Sequence, residues 1–112
     1  MPWPIVSRCP EFVNMHWIHP LFQERVGNMV QYVRERYPFI TYVIVFGSVT
    51  TNRCTSWSDI DVCIFGDYNL KFVPPDDGTA YDVLWAQHLN LESDIWKRIE
   101  SDGVLVYGQV SS

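Results

Sequence analysis

From residue 21 to residue 37 the apolar side chains recur with the period of a helix. Phe22, Val26, Met29, Val30, Val33 and Tyr37 fall on one stripe, with Glu24, Arg25, Arg34, Glu35 and Arg36 on the opposite side. Pro20 suits a first helical position and Pro38 ends the pattern, so the spacing predicts a helix over 21–37 that packs on a sheet. The period then changes. Tyr42-Val43-Ile44-Val45-Phe46 is a continuous apolar run that stops at Gly47-Ser48, and after a polar connection of ten residues the chain enters Asp59-Ile60-Asp61-Val62-Cys63-Ile64-Phe65. That is strand, loop, strand, with Ile60, Val62 and Ile64 on one face and Asp59 and Asp61 on the other.

Weaker signals flank this centre. Met1 to Ile18 carries three prolines and two tryptophans, so a helix is not expected before Glu11, and a short one over 11–18 would place Phe12, Met15 and Ile18 against an edge of the core. Trp3 and Trp17 offer a partner surface as the alternative use of the same segment. His16 and His19 stand three apart with no cysteine or acid to complete a zinc site, which favours a surface pair or a helix cap. Downstream, Pro74-Pro75-Asp76-Asp77-Gly78 marks a turn, with Asp76 and Asp77 serving turn chemistry. A strand, Tyr81-Asp82-Val83-Leu84-Trp85, begins near Thr79. Asn90 or Ser93 can then cap a helix whose apolar side is Leu91, Ile95, Trp96 and Ile99; Gly103 ends it, and Val104 to Tyr107 form an edge or flanking strand.

The chemistry gathers at the central loop. Two carboxylates on one face of a strand, Asp59 and Asp61, repel each other and cost free energy if buried alone, which a divalent cation between them relieves. Gly47 permits close approach to the backbone, the residues after it can begin a short helix whose free N–H groups point at an anion, and Ser48 adds a hydroxyl donor. A phosphate held there, facing a cation held by the aspartates, is the minimum equipment for phosphoryl or nucleotidyl transfer. Taken singly, Gly-Ser is a common turn and Asp-x-Asp a common solvated strand edge. Their combination at this spacing is what points to function.

Phe46-Gly47-Ser48, the ten-residue gap and Ser58-Asp59-Ile60-Asp61-Val62 resemble the signature of the nucleotidyltransferase superfamily that includes DNA polymerase beta, in its single-domain branch of minimal nucleotidyltransferases. The resemblance runs from about Leu21 to Tyr107. It implies an α+β fold, a small mixed or antiparallel sheet with helices packed mainly on one face. It also implies a third carboxylate on a neighbouring strand, matched by Asp82. Asp59, Asp61 and Asp82 would then be the catalytic and metal-holding residues, with Asp82 also placed to accept a proton from the incoming hydroxyl. Gly47, Ser48 and Arg53 would bind the nucleotide. The implied cofactor is Mg²⁺ and the implied substrate a nucleoside triphosphate, ATP by preference. Relatives place arginine directly after Gly-Ser and again two residues on, then glycine, where this chain has Val49, Thr51 and Asn52. Most also carry a helix between the second and third strands, an interval that is short here.

As a group, minimal nucleotidyltransferases resemble the antitoxin halves of toxin–antitoxin pairs whose helical HEPN partners are nuclease toxins, and some transfer AMP to a partner tyrosine. The implied function is transfer of AMP to a hydroxyl of such a partner, with exposed aromatics such as Trp3, Trp17 or Trp57 contributing to docking. A non-catalytic module that neutralises its partner by contact, and an enzyme acting on a small hydroxylated molecule, are the other readings.

Composition narrows these choices. At 112 residues the chain reads as one domain over 21–110 behind an extension over 1–20, leaving no second domain to grip an acceptor. A net charge of −5 argues against holding nucleic acid by charge, since that needs a basic face. Three cysteines without CxxC spacing, no signal-peptide pattern and no run of about 20 apolar residues suit a cytoplasmic protein with no membrane span, and self-association is compatible with all of this.

Overall fold

The computed structural model describes residues 2–66, 71–90 and 92–108. Four strands form one sheet: β1 (Ile40–Phe46), β2 (Ile60–Gly66), β3 (Tyr81–Trp85) and β4 (Val104–Gly108), in the order β3-β2-β1-β4. β1 is antiparallel to both neighbours, whereas β2 and β3 run parallel, so the sheet is mixed. Two α-helices, α1 (Gln23–Arg36) and α2 (Asp94–Asp102), complete the α+β fold. Among the described residues no helix is long and apolar enough to cross a membrane.

Strand alternation divides the sheet into two faces. Val43 and Val45 of β1, Ile60, Val62 and Ile64 of β2 and Val106 of β4 pack with Val26, Met29, Val30 and Val33 of α1, the stripe predicted from the helical period. Phe12, Met15, Ile18 and Phe22 join the same core, so the N-terminal segment, like α1, lies mostly on this face. The shorter α2 lies across the other, where Ile99 and Trp96 meet Phe46, Cys63, Ile44 and Leu84. Cys63 is fully buried there, and desolvation pushes its thiol up to about 11.

The N-terminal segment departs from the expected helix over 11–18. Asn14 adopts a left-handed conformation, φ 61°, which breaks any continuous helix, and a single 3₁₀ turn, Met15–Trp17, follows. Gln23 supplies three of the hydrogen bonds that hold the segment instead. Gln23 is fully buried: its Nε2 donates to the carbonyls of Pro4 (2.9 Å) and Ile18 (3.2 Å), and its Oε1 accepts from the Val6 N–H (2.9 Å). His19 is a cap, its Nδ1 accepting from the Leu21 N–H ahead of a 3₁₀ turn with Pro20 at its first position. The helix predicted over 21–37 therefore begins as this turn and becomes α-helical at Gln23.

Three further boundaries shift for local reasons. β3 starts at Tyr81 rather than near Thr79 because the Asp77 carboxylate holds the Thr79 N–H and the Tyr81 hydroxyl, both at 3.0 Å, in the preceding turn. The Ser93 hydroxyl caps α2 by accepting from the Trp96 N–H, which starts the helix at Asp94 and leaves Ile95 exposed, not on the apolar side. Leu91, also assigned to that side, lies outside the described residues. In the described part of the β2–β3 connection, residues 71–80, there is no helix.

Candidate active site

Antiparallel pairing of β1 with β2 and parallel pairing of β2 with β3 bring three strand ends to one edge. Phe46 stands opposite Asp61, and Asp61 stands opposite Asp82. Residues paired across adjacent strands lie about 5 Å apart at Cα. Asp61 and Asp82 thus share the α2 face of the sheet, directly beside the end of β1. Asp59 sits just outside β2, which begins at Ile60 rather than at Asp59 as the alternation suggested. Its charge still reaches Asp61. Burial raises the Asp61 carboxyl above its ordinary value, and repulsion from Asp82 and, more weakly, from Asp59 adds to this against the opposing Arg98 guanidinium.

Gly47 makes this arrangement sterically feasible. Its backbone, φ 85° and ψ −154°, lies in a region that side chains rarely adopt, and a Cβ there would collide with Asp61 Oδ2. The bare backbone of Gly47 and the Asp61 carboxylate are therefore in contact. Ser48 opens a single 3₁₀ turn, Ser48–Thr50, stabilised by Thr50 Oγ1 donating to the Gly47 carbonyl (2.9 Å) and Thr51 Oγ1 to the Ser48 carbonyl (3.0 Å). The turn is tied to the N-terminal segment, since the His19 N–H donates to the Val49 carbonyl at 2.8 Å.

This geometry explains the missing arginines. Val49 is fully buried in the α1-side core, so its position serves packing, and the Thr51 hydroxyl is engaged in closing the turn. Arg53 lies exposed in the loop beyond, its N–H donating to Thr51 Oγ1 (3.2 Å). The cation that reaches the site is one the sequence did not single out. Arg98 projects from α2 and places Nη2 3.9 Å from Asp61 Oδ2, with its guanidinium 5.9 Å from the centre of the Phe46 ring. A basic residue in a helix some fifty positions from Gly47 carries no local signal, and only the packing of α2 on the sheet reveals it.

Among the described residues no three His, Cys, Asp or Glu side chains converge as a preformed metal cluster. Magnesium does not require one, because it is usually held by one or two carboxylates together with substrate phosphates and waters. The opposed Asp61 and Asp82, all-oxygen donors whose mutual repulsion a cation would relieve, fit that mode. Among the described residues, two clefts lie away from the carboxylates: one of about 470 Å³ between Trp3, Trp17, Thr50, Thr51 and Asn52, and one of about 400 Å³ among Asn14, Trp17, Thr50 and residues 101–105. Neither is lined by Asp59, Asp61 or Asp82.

A comparison with curated proteins yields no significant sequence match. Among solved structures, one chain of a crystal structure of a mutant MntA–HpeT toxin–antitoxin is similar in fold, with a TM-score of 0.55 and 11% identity over 74% of this chain and 73% of that one. The family model for the nucleotidyltransferase domain matches residues 26–104, a span that contains α1 from Val26 onward, all of β1 to β3, and the Gly47-Ser48 turn with Asp59, Asp61 and Asp82. The chain belongs to the nucleotidyltransferase domain family.

Proposed function

We propose that this protein is a Mg²⁺-dependent nucleotidyltransferase that moves AMP from ATP to a hydroxyl of a partner protein, as an antitoxin acting on a helical HEPN-type toxin. The observation that carries the reading is the meeting of Asp61 and Asp82 in register, with the Asp61 carboxylate against the bare backbone of Gly47. The likeness in fold to a chain of the MntA–HpeT structure supports the choice of partner class.

The roles follow from charge. Asp61 and Asp82, with Asp59 beside them, would hold the cation, which when bound would neutralise charge developing on the attacking and leaving oxygens. The Gly47 backbone and Ser48 hydroxyl receive the phosphates, with Arg53 near the same loop. Asp82, exposed at the sheet edge, is open to an incoming hydroxyl and accepts its proton. The hydroxyl oxygen attacks the α-phosphorus, the bond to the bridging oxygen breaks, and pyrophosphate leaves. Trp57, 91% exposed, and Trp17, 45% exposed, offer the docking anchors that an acceptor protein would bury.

The test is intact mass. A co-expressed helical partner incubated with ATP and Mg²⁺ should gain one AMP, and Asp59→Ala or Asp61→Ala in this chain should abolish the gain. A partner neutralised equally well by wild type and Asp61→Ala, with no mass change, would instead establish the non-catalytic binding module, which the buried Val49 in place of an arginine favours.

A further inference from the structure

Resting on the nucleotidyl-transfer reading, the geometry points to Arg98 as the residue that grips the β- and γ-phosphates of the triphosphate, in place of arginines in the Gly-Ser turn. Three observations carry it. Arg98 Nη2 lies 3.6 Å from where a Cβ of Gly47 would stand and 3.9 Å from Asp61 Oδ2, so the guanidinium straddles the boundary between the phosphate turn and the carboxylates. The turn itself has no cation to offer at positions 49 and 51, because Val49 is in the core and Thr51 closes the loop. Arg98 also comes from a well-seated helix: Ile99 is buried beside it and the Ser93 hydroxyl caps the first turn.

The way Arg98 is held suits a ligand better than a structural bond. At 3.9 Å its contact with Asp61 exceeds hydrogen-bond length, and its side chain is 56% exposed. Among the described residues none of its donors has a hydrogen-bond acceptor, so the planar fork is free to bind an anion through two parallel bonds. An exposed pair of this kind contributes little to stability. The Phe46 ring beneath steers the guanidinium without using its donors. A triphosphate approaching three aspartates in a chain of net charge −5 meets repulsion, and Arg98 is the counter-charge placed where the β- and γ-phosphates would lie once the α-phosphate sits by the carboxylates.

Arg98 should therefore discriminate triphosphate from monophosphate. Titration calorimetry of the full chain with ATP and with AMP, both in Mg²⁺, reads this directly for wild type, Arg98→Ala, Arg98→Lys and Arg36→Ala. Arg98→Ala should weaken ATP binding by about tenfold or more while changing AMP binding less than about twofold. Arg98→Lys, which keeps the charge but loses the fork, should fall between, and Arg36→Ala, which removes an exposed cation at the end of α1, should keep the preference for ATP. Unchanged ATP binding in Arg98→Ala, equal losses for both nucleotides, or loss of the preference in Arg36→Ala would each overturn the assignment while leaving nucleotidyl transfer standing. Failure of wild type to bind either nucleotide would overturn both.

Discussion

Replacing Gly47 with alanine tests the centre of the site, and its cost divides into two parts. The first is conformational. At φ 85° and ψ −154° the backbone lies where a non-glycine residue is strained by about 1–3 kcal/mol. The second is steric: the new Cβ would collide with Asp61 Oδ2, and the carboxylate must leave its rotamer at a cost of about 0.5–1.5 kcal/mol. Gly47→Ala should thus destabilise the protein by about 2–4 kcal/mol, a large part of the 5–15 kcal/mol typical of a domain. Urea unfolding followed by tryptophan fluorescence measures this. Because the second part needs the Asp61 side chain, Gly47→Ala introduced into an Asp61→Ala background should cost about 1 kcal/mol less than in wild type. A Gly47→Ala cost below about 0.5 kcal/mol would refute the strained turn, and equal costs in both backgrounds would refute the contact between Gly47 and Asp61.

Other outcomes follow from single features of the structure. Gln23→Leu leaves the Pro4 and Ile18 carbonyls and the Val6 N–H without partners; it should cost about 2–3 kcal/mol and raise amide exchange in residues 2–18 before the sheet, whereas uniform exchange across the chain would argue against this clamp. The Asp61 carboxyl is raised in the folded state, so the unfolded chain loses its proton first and stability falls as pH rises through the interval between the ordinary and raised values. Without divalent cation, Asp61→Asn should therefore melt higher than wild type at neutral pH, with a gap that closes near about pH 4; a lower melting temperature at neutral pH would refute the sign. Added Mg²⁺ should raise the melting temperature of wild type and leave that of Asp61→Asn unchanged, as thermal melts would show. Cys63, buried under α2 with its thiol pushed up to about 11, should resist thiol reagents in the native state and react only on unfolding, as peptide mapping after labelling would detect.

The departures from the family pattern acquire a physical meaning in the folded chain. Val49 in place of arginine extends the α1-side core beneath the turn, and the turn in turn receives the His19 N–H from the N-terminal segment. Residues 2–20 and the Gly47-Ser48 turn are therefore mechanically connected. Gln23, at the start of α1, secures the other end of that segment. A change in how the opening residues pack would be felt at Gly47.

Much of this was legible in the order of the residues. Helical and strand periods are local properties, so the stripe of α1, the apolar run of β1 and the alternation of β2 could be read directly, and with them the Gly47-Ser48 bend and the pair Asp59 and Asp61. What no local pattern contains is pairing. That β3 lies parallel to β2 with Asp82 opposite Asp61 depends on long-range register, set by which faces can be buried together. Asn14 in a left-handed conformation and the amide of Gln23, polar and fully buried, hold a segment whose prolines and tryptophans suggested only irregularity. Arg98 is the clearest case. Its charge is visible in the chain, but its place beside Gly47 and Asp61 exists only because α2 crosses the face of the sheet on which the carboxylates stand.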